Sequence, residues 1–199
     1  MFLTVAFLKG KHKMRYILAS KSPRRRELLG EIIDSFDIIT KGVDESLPKD
    51  VHPRYGVEML AVRKGSAVVC EVGTDSVVIS SDTLVELGGV PLGKPKDTDD
   101  AKAMLRMLSG KAHNVHTGVA VQFGGRCYSG VATTAVYFRK MTENEIEEYV
   151  ASGDPLDKAG SYGIQSGGGK FVEKIDGDYD TVVGLSVALT KKLIDEALK

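Results

Sequence analysis

Apolar and polar positions along the chain alternate between a strand-like and a helix-like period. Arg15–Ala19 is a short run of strand type, and Ser22-Pro23 behind it supplies a good helix N-cap and first helical residue. Leu28, Leu29, Ile32 and Ile33 then recur at helical spacing. Phe36–Thr40 turns back toward a strand. The next pattern predicts a helix from Pro53 to about Val69, with Val57, Leu60, Ala61, Lys64 and Val68 near one face; Gly56 and Gly65 weaken it. Ser76–Ser80 is a continuous run that suits a central strand buried on both faces. It leads through Ser81-Asp82-Thr83 into Leu84–Leu87. After a loop, Thr98 is expected to cap a helix with the stripe Ala101, Met104, Leu105 and Leu108, ended by Gly110. Asn114–Phe123 and Cys127–Phe138 flank Gly124-Gly125 as a hairpin. Thr142 and Glu145 fit a capping box. A glycine-rich stretch follows, then a strand over Phe171–Ile175, and Thr181–Leu198 contains the last helix.

Strands and helices interleave around one long antiparallel hairpin. That order predicts an α/β protein with a mixed, twisted sheet flanked by helices. The 199 residues show no internal repeat and no linker rich in Pro, Gly or Ser. One domain over residues 14–199 is expected, behind an N-terminal extension of residues 1–13. The extension is apolar and then basic, the reverse of a secretory signal. No apolar run reaches the roughly 18 residues of a membrane span. Lys+Arg and Asp+Glu both count 27. This balance argues against a nucleic-acid grip over the whole surface and leaves room for a small basic pocket around one phosphorylated molecule. Cys70 and Cys127 lack metal or redox spacing and read as buried or free thiols.

Charge is nevertheless concentrated where a helix should resist it. Arg24, Arg25 and Arg26 crowd the first turn after Ser22-Pro23, against the helix dipole. A phosphate there would accept from serine hydroxyls, backbone N–H groups and guanidinium forks together. A solvated basic face explains the same residues about as well. Asp82 ends the buried run, where open α/β sheets bind ligands, and could bind a divalent metal or take a proton from water. An ordinary turn aspartate is the plainer reading. Gly93-Lys94-Pro95 offers close backbone and a point charge but is not a P-loop. Asp44-Glu45, with Lys64 on the next helix, could join Asp82 in a hard-metal site; alone, it is an acidic turn. Gln165 carries an acceptor and two donors and could read a pyrimidine edge, or could be a polar loop residue. His113 and His116 fall on opposite faces of a strand, since three residues is an odd step, and read as structural or surface residues.

Together these segments resemble the Maf family of nucleotide pyrophosphatases, the septum-formation-inhibitor family, over about Arg15 to Leu193. The resemblance is carried by LASKSPRRRELL, DES, ISSDTLV, LGKPKDTDDAKAMLRMLSGKAHNVHTGV, DPLDKAGSYGIQ and IDGDYDTVVGL. It implies a fold like that of the inosine triphosphatases. It also implies a cytoplasmic homodimer that hydrolyses nucleoside triphosphates to monophosphate and pyrophosphate with a divalent metal, Mg²⁺ or Mn²⁺. Arg24, Thr83 and Gln165 match the branch that prefers dTTP and UTP; the 7-methyl-GTP branch has Trp, Gln and Glu there. By the same resemblance Asp82 is the proton acceptor. Ser20, Arg25, Glu45, Lys64 and Lys94 would line the triphosphate and metal site, with Glu45 and Asp82 as metal ligands. Residues 1–13 and Ser186, where the family usually has Pro, depart from the pattern. Two alternatives stay open: a purine-directed enzyme of inosine-triphosphatase type, and a nucleotide-binding regulator of cell division without turnover.

Overall fold

The computed structural model describes residues 14–48 and 50–199; the expected extension, residues 1–13, lies outside the described residues. A sheet of seven strands forms the centre. β1 (Tyr16–Leu18), β2 (Asp37–Ile38), β3 (Val77–Leu87), β4 (Val90–Leu92), β5 (Ala112–Phe123), β6 (Arg126–Phe138) and β7 (Val172–Asp176) run in the order β2-β1-β3-β5-β6-β7, with β4 on β3. β1 is parallel to β2 and β3, and every other pair is antiparallel. The mixed sheet expected from the sequence is therefore present.

β3 is the axis of the molecule. From Val78 to Glu86 it pairs with β5 on one edge. On the other edge β1 covers Val77–Ile79 and β4 covers Val85–Leu87. Among the described residues no strand pairs with Ser80–Leu84 on that edge. A gap opens there, and Asp82 lies in it.

The two faces are covered differently. The helix α2 (Pro53–Val72) lies across one face, packed on β3 and β5. It runs for 20 residues despite Gly56 and Gly65. Those glycines, read in the sequence as helix weakeners, mark close approach instead. A Cβ at Gly65 would stand 2.6 Å from the Ser80 hydroxyl, and one at Gly118 on β5 would run into the Val57 carbonyl of α2. The opposite face carries two apolar clusters. One joins β3, β5 and β6 to α3 (Thr98–Leu108) and α4 (Glu143–Ala151) through residues such as Val85, Leu105, Phe138, Ile146 and Phe171. The other joins Leu18, Ile79 and Val121 to α1 (Pro23–Gly30), α5 (Tyr179–Val183) and α6 (Val187–Ala197). The gap in β3 falls between the two.

Several local expectations need correction. Asp97, not Thr98, caps α3: its carboxylate accepts from the Asp100 N–H at 2.8 Å, and Thr98 becomes the first helical residue. Val90–Leu92, expected as loop, pairs with the end of β3. The last helix lies where expected, as α6, capped by Ser186, which accepts from the Leu189 N–H; Gly184 separates it from α5. His113 and His116 do face opposite ways but neither is a surface residue, at 3% exposed each. Cys70 and Cys127 are free and exposed rather than buried. No described helix is long and apolar enough to cross a membrane.

Candidate functional site

A cleft of about 850 Å³ opens over the unpaired stretch of β3. Ser20, Arg24, Arg25, Glu45, Lys64, Asp82, Thr83, Lys94 and Gln165 all border it. These residues come from segments up to 145 positions apart, from Ser20 to Gln165. The volume falls in the usual range for a small-molecule site, roughly 300–1,000 Å³.

Position along β3 decides which face each side chain takes. Ser80 and Asp82 point toward α2, where Ser80 donates to the Ala61 carbonyl at 2.7 Å. Ser81 and Thr83 point the other way, toward the Gly184 carbonyl, at 3.0 and 3.4 Å. Lys64 reaches from α2 to Asp82 at 2.5 Å and to Glu45 at 2.8 Å. One ammonium thus draws two carboxylates together. Its hydrogen bond holds the Glu45 carboxyl below the ordinary carboxylate range, against a smaller opposing effect of burial; Lys94 and Arg25 add to the lowering. Asp44, the neighbour of Glu45, takes no part. Its carboxylate closes a turn on Ser46, accepting from N–H and hydroxyl at 2.8 and 2.7 Å.

Arg25 answers part of the arginine question. Its guanidinium folds back from α1 and donates to the Gly184 carbonyl at 2.9 Å, the Thr83 hydroxyl at 3.2 Å and the Ser20 hydroxyl at 3.3 Å. Burial pushes its pKa down while Asp82 pulls it up. It remains a cation in either case. Arg24 lies 3.9 Å from Asp157 across the cleft, and Arg26 is exposed outside it. Lys94 follows β4 on the exposed rim. Gln165 is exposed on a turn at the far end.

Three features here were not singled out from the sequence. The Gly184 carbonyl ties β3 to α1. Arg63 donates to the carbonyls of Asp44 and Ser46 and so holds the loop that carries Glu45. A network of Tyr149, Asp154, Lys158 and Ser166 supports the glycine-rich stretch. Of the last, Asp154 and Lys158 lie in the DPLDKAGSYGIQ segment, but Tyr149, Ser166 and the bonds among the four carried no sequence signal.

A mixed sheet with a charged cleft at the end of a parallel strand pair is the architecture of a small-molecule enzyme of α/β type. The chain belongs to the Maf family: the family model described as Maf-like protein matches residues 15–197. It is 46% identical to the dTTP/UTP pyrophosphatase of Bacillus pumilus, over 90% of this chain and 94% of that protein. It is 44% identical to the dTTP/UTP pyrophosphatase of Vibrio parahaemolyticus, over 94% of this chain and 100% of that protein. Among solved structures, the Staphylococcus aureus Ham1 protein overlaps with a TM-score of 0.47 at 15% identity, over 62% of this chain and 71% of that one.

Proposed function

We propose that the chain hydrolyses dTTP and UTP to the nucleoside monophosphate and pyrophosphate. The observation that carries this reading is the convergence of Asp82 and Glu45 on Lys64, beside Arg25, in the gap of β3. Family membership and the activity of the two named relatives support it.

In this reading the triphosphate lies over Ser20, Arg25, Lys64 and Lys94. The base extends toward Arg24 and Gln165. Thr83, bonded to both Arg25 and Thr117, borders the cleft and joins Arg24 and Gln165 in selecting the base. The donors suit a hard divalent cation such as Mg²⁺ or Mn²⁺: two carboxylates already meet on one positive charge. Asp82 and Glu45 would hold it. Among the described residues no group of three or more His, Cys, Asp or Glu side chains forms a cage, so phosphate oxygens would complete the shell. The cation supplies charge stabilisation on the phosphate oxygens. Asp82 orients a water toward the α-phosphorus and takes its proton. Arg25, Lys64 and Lys94 meet the negative charge that collects on the departing pyrophosphate. A homodimer working in the cytoplasm belongs to the same reading and rests on the family alone; sedimentation tests the dimer.

The test is pyrophosphate release from dTTP, UTP, CTP, GTP, ITP and 7-methyl-GTP with Mg²⁺ or Mn²⁺, for the wild type and Asp82→Asn. Preference for dTTP and UTP is expected, with turnover reduced by about 10²- to 10⁴-fold in the variant. Preference for ITP would point to the purine-directed class. Binding without release would point to a regulator. Near-normal turnover in a folded Asp82→Asn would remove Asp82 from the chemistry.

A further inference from the structure

The base end of the cleft is built from irregular backbone. Gly163–Ser166 is a turn closed by the Ser166 N–H on the Gly163 carbonyl at 3.2 Å, and Gln165 is its third residue. Its central Ile164 packs against the apolar clusters, and its two ends are held by side-chain hydrogen bonds. Here both ends are tied to the same pair of side chains. The Tyr149 hydroxyl, from α4, accepts from the Gly163 N–H at 3.1 Å and donates to Asp154 at 2.6 Å. The Ser166 hydroxyl donates to the same Asp154 oxygen at 2.7 Å. Lys158 donates to the other oxygen at 3.1 Å and to the Asp154 carbonyl at 2.5 Å.

The unit is anchored from below. Tyr149 is 3% exposed and packs edge-on against Phe171, with ring centroids 5.4 Å apart. The Lys158 stem lies against the turn: a Cβ at Gly163 would stand 2.6 Å from Lys158 Cε. Burial favours the neutral form of Asp154, but hydrogen bonds from Tyr149, Ser166 and Lys158 prevail and hold its pKa below the usual range. Burial and Asp154 together push the Tyr149 hydroxyl up, so it stays a protonated donor. Neither Tyr149 nor Asp154 borders the cleft.

We propose that Tyr149 and Asp154 are positioning residues for the Gly163–Ser166 turn, and that selection of the base at Gln165 depends on this network behind it. The inference rests on the reading of Gln165 given above. It makes selectivity depend on two side chains, Tyr149 and Asp154, that do not border the cleft.

The experiment is a double-mutant cycle on Tyr149→Phe and Gln165→Ala in the full chain. The readouts are kcat and KM for UTP and GTP, with the thermal midpoint of each variant. Tyr149→Phe keeps the buried ring and removes the hydroxyl alone. The ratio of kcat/KM for UTP over GTP is expected to fall by about three- to tenfold, the worth of one hydrogen bond, mostly through KM. The double variant should lose no more than Gln165→Ala alone. Ser166→Ala, at an exposed position, should give a smaller loss of the same kind, and serves if Tyr149→Phe folds poorly. A lower thermal midpoint with unchanged selectivity in Tyr149→Phe and Ser166→Ala would overturn the proposal, since the network would then be structural only. Additive losses in the double variant would overturn it as well. If Gln165→Ala keeps its selectivity while Tyr149→Phe loses it, the positioning of the turn stands and the reading of Gln165 falls.

Discussion

The two ends of the cleft are made in different ways. At the charged end, Asp82 stands on a strand paired with β5 from Val78 to Glu86, Lys64 on a 20-residue helix and Arg25 on α1. Backbone ladders and tight packing fix these groups. At the other end, Gln165 rides on a turn held by side-chain hydrogen bonds. Regular elements place groups to a fraction of an ångström, which bond-breaking chemistry demands. A tethered turn can change its residues without disturbing the sheet. The difference teaches that chemistry and selection are mechanically separable here. Damage at one end should leave the signature of the other intact.

After Asp82→Asn, the largest expected effect tests the packing behind the charged end. Gly118 lies opposite Asp82 in the ladder, where an added methyl would run into the Val57 carbonyl of α2. Gly118→Ala must push that helix, and Lys64 with it, away from β3. Overpacking of this kind costs about 1–3 kcal/mol. A displacement near 1 Å at the reacting groups costs up to about 100-fold in turnover. Denaturant midpoints and kcat would show both losses, with the UTP-to-GTP ratio unchanged. Full turnover in the variant would mean that the close approach of α2 does not set the position of Lys64.

Arg25→Lys probes the same end more locally. The charge remains, but a single ammonium cannot reach Gly184, Ser20 and Thr83 together. Turnover should fall by about 10- to 100-fold, the worth of charged hydrogen bonds. Rescue of the rate by the charge alone would show that the fork geometry is dispensable.

What the sequence disclosed follows the same division. Arg24 and Arg25, which oppose a helix dipole, and the aspartate ending a buried run violate local preference and border the cleft, while Arg26 does not. The meeting of Lys64 with Asp82 and Glu45 was only one option in the sequence, because no spacing rule relates a helix face to the strand that follows it. Nor could composition separate Glu45, which joins the site, from Asp44, which closes a turn. Val90-Pro91-Leu92 escaped notice as a strand because it is short and carries a proline, tolerated there at an edge. Gly65 read as a helix weakener because its packing partner, Ser80, lies in a distant segment. Tyr149 gave no signal at all: an aromatic on an amphipathic helix looks like core, and most of it is. Only its hydroxyl matters to the turn.

The wall near the base end has a pH dependence of its own. His113 shares a hydrogen bond with Tyr162 at 2.9 Å, and Tyr162 borders the cleft. Burial lowers the His113 pKa from 6.5 to about 4. In the unfolded chain this imidazole takes up its proton below about pH 6.5, in the folded chain only near 4. The unfolded state therefore binds more protons within that window, and stability falls as the pH drops through it. The loss amounts to about 3 kcal/mol at the bottom of the window. Urea midpoints followed from neutral pH down to 4 should show the slope, and His113→Gln should flatten it. An equal slope in the variant would assign the acid sensitivity to other groups.

The smallest effect belongs to Asp157, on the rim beside Arg24 and Lys158. Its carboxylate lies 3.9 Å from Arg24 and 2.7 Å from Lys158, and its side chain is 67% exposed. Exposed pairs of this kind contribute less than about 1 kcal/mol. Asp157→Asn should therefore leave the thermal midpoint nearly unchanged, because Lys158 keeps Asp154. The consequence is electrostatic. One negative charge leaves the rim of a cleft that must admit a triphosphate, and Arg24 loses its protein counter-ion. KM for UTP should fall by less than about fivefold at low ionic strength. The gain should vanish at high salt, where exposed charges are screened. A fall in kcat, or a change in KM that persists at high salt, would mean that Asp157 touches the nucleotide itself. The selecting end would then extend along the rim from Gln165 to Asp157.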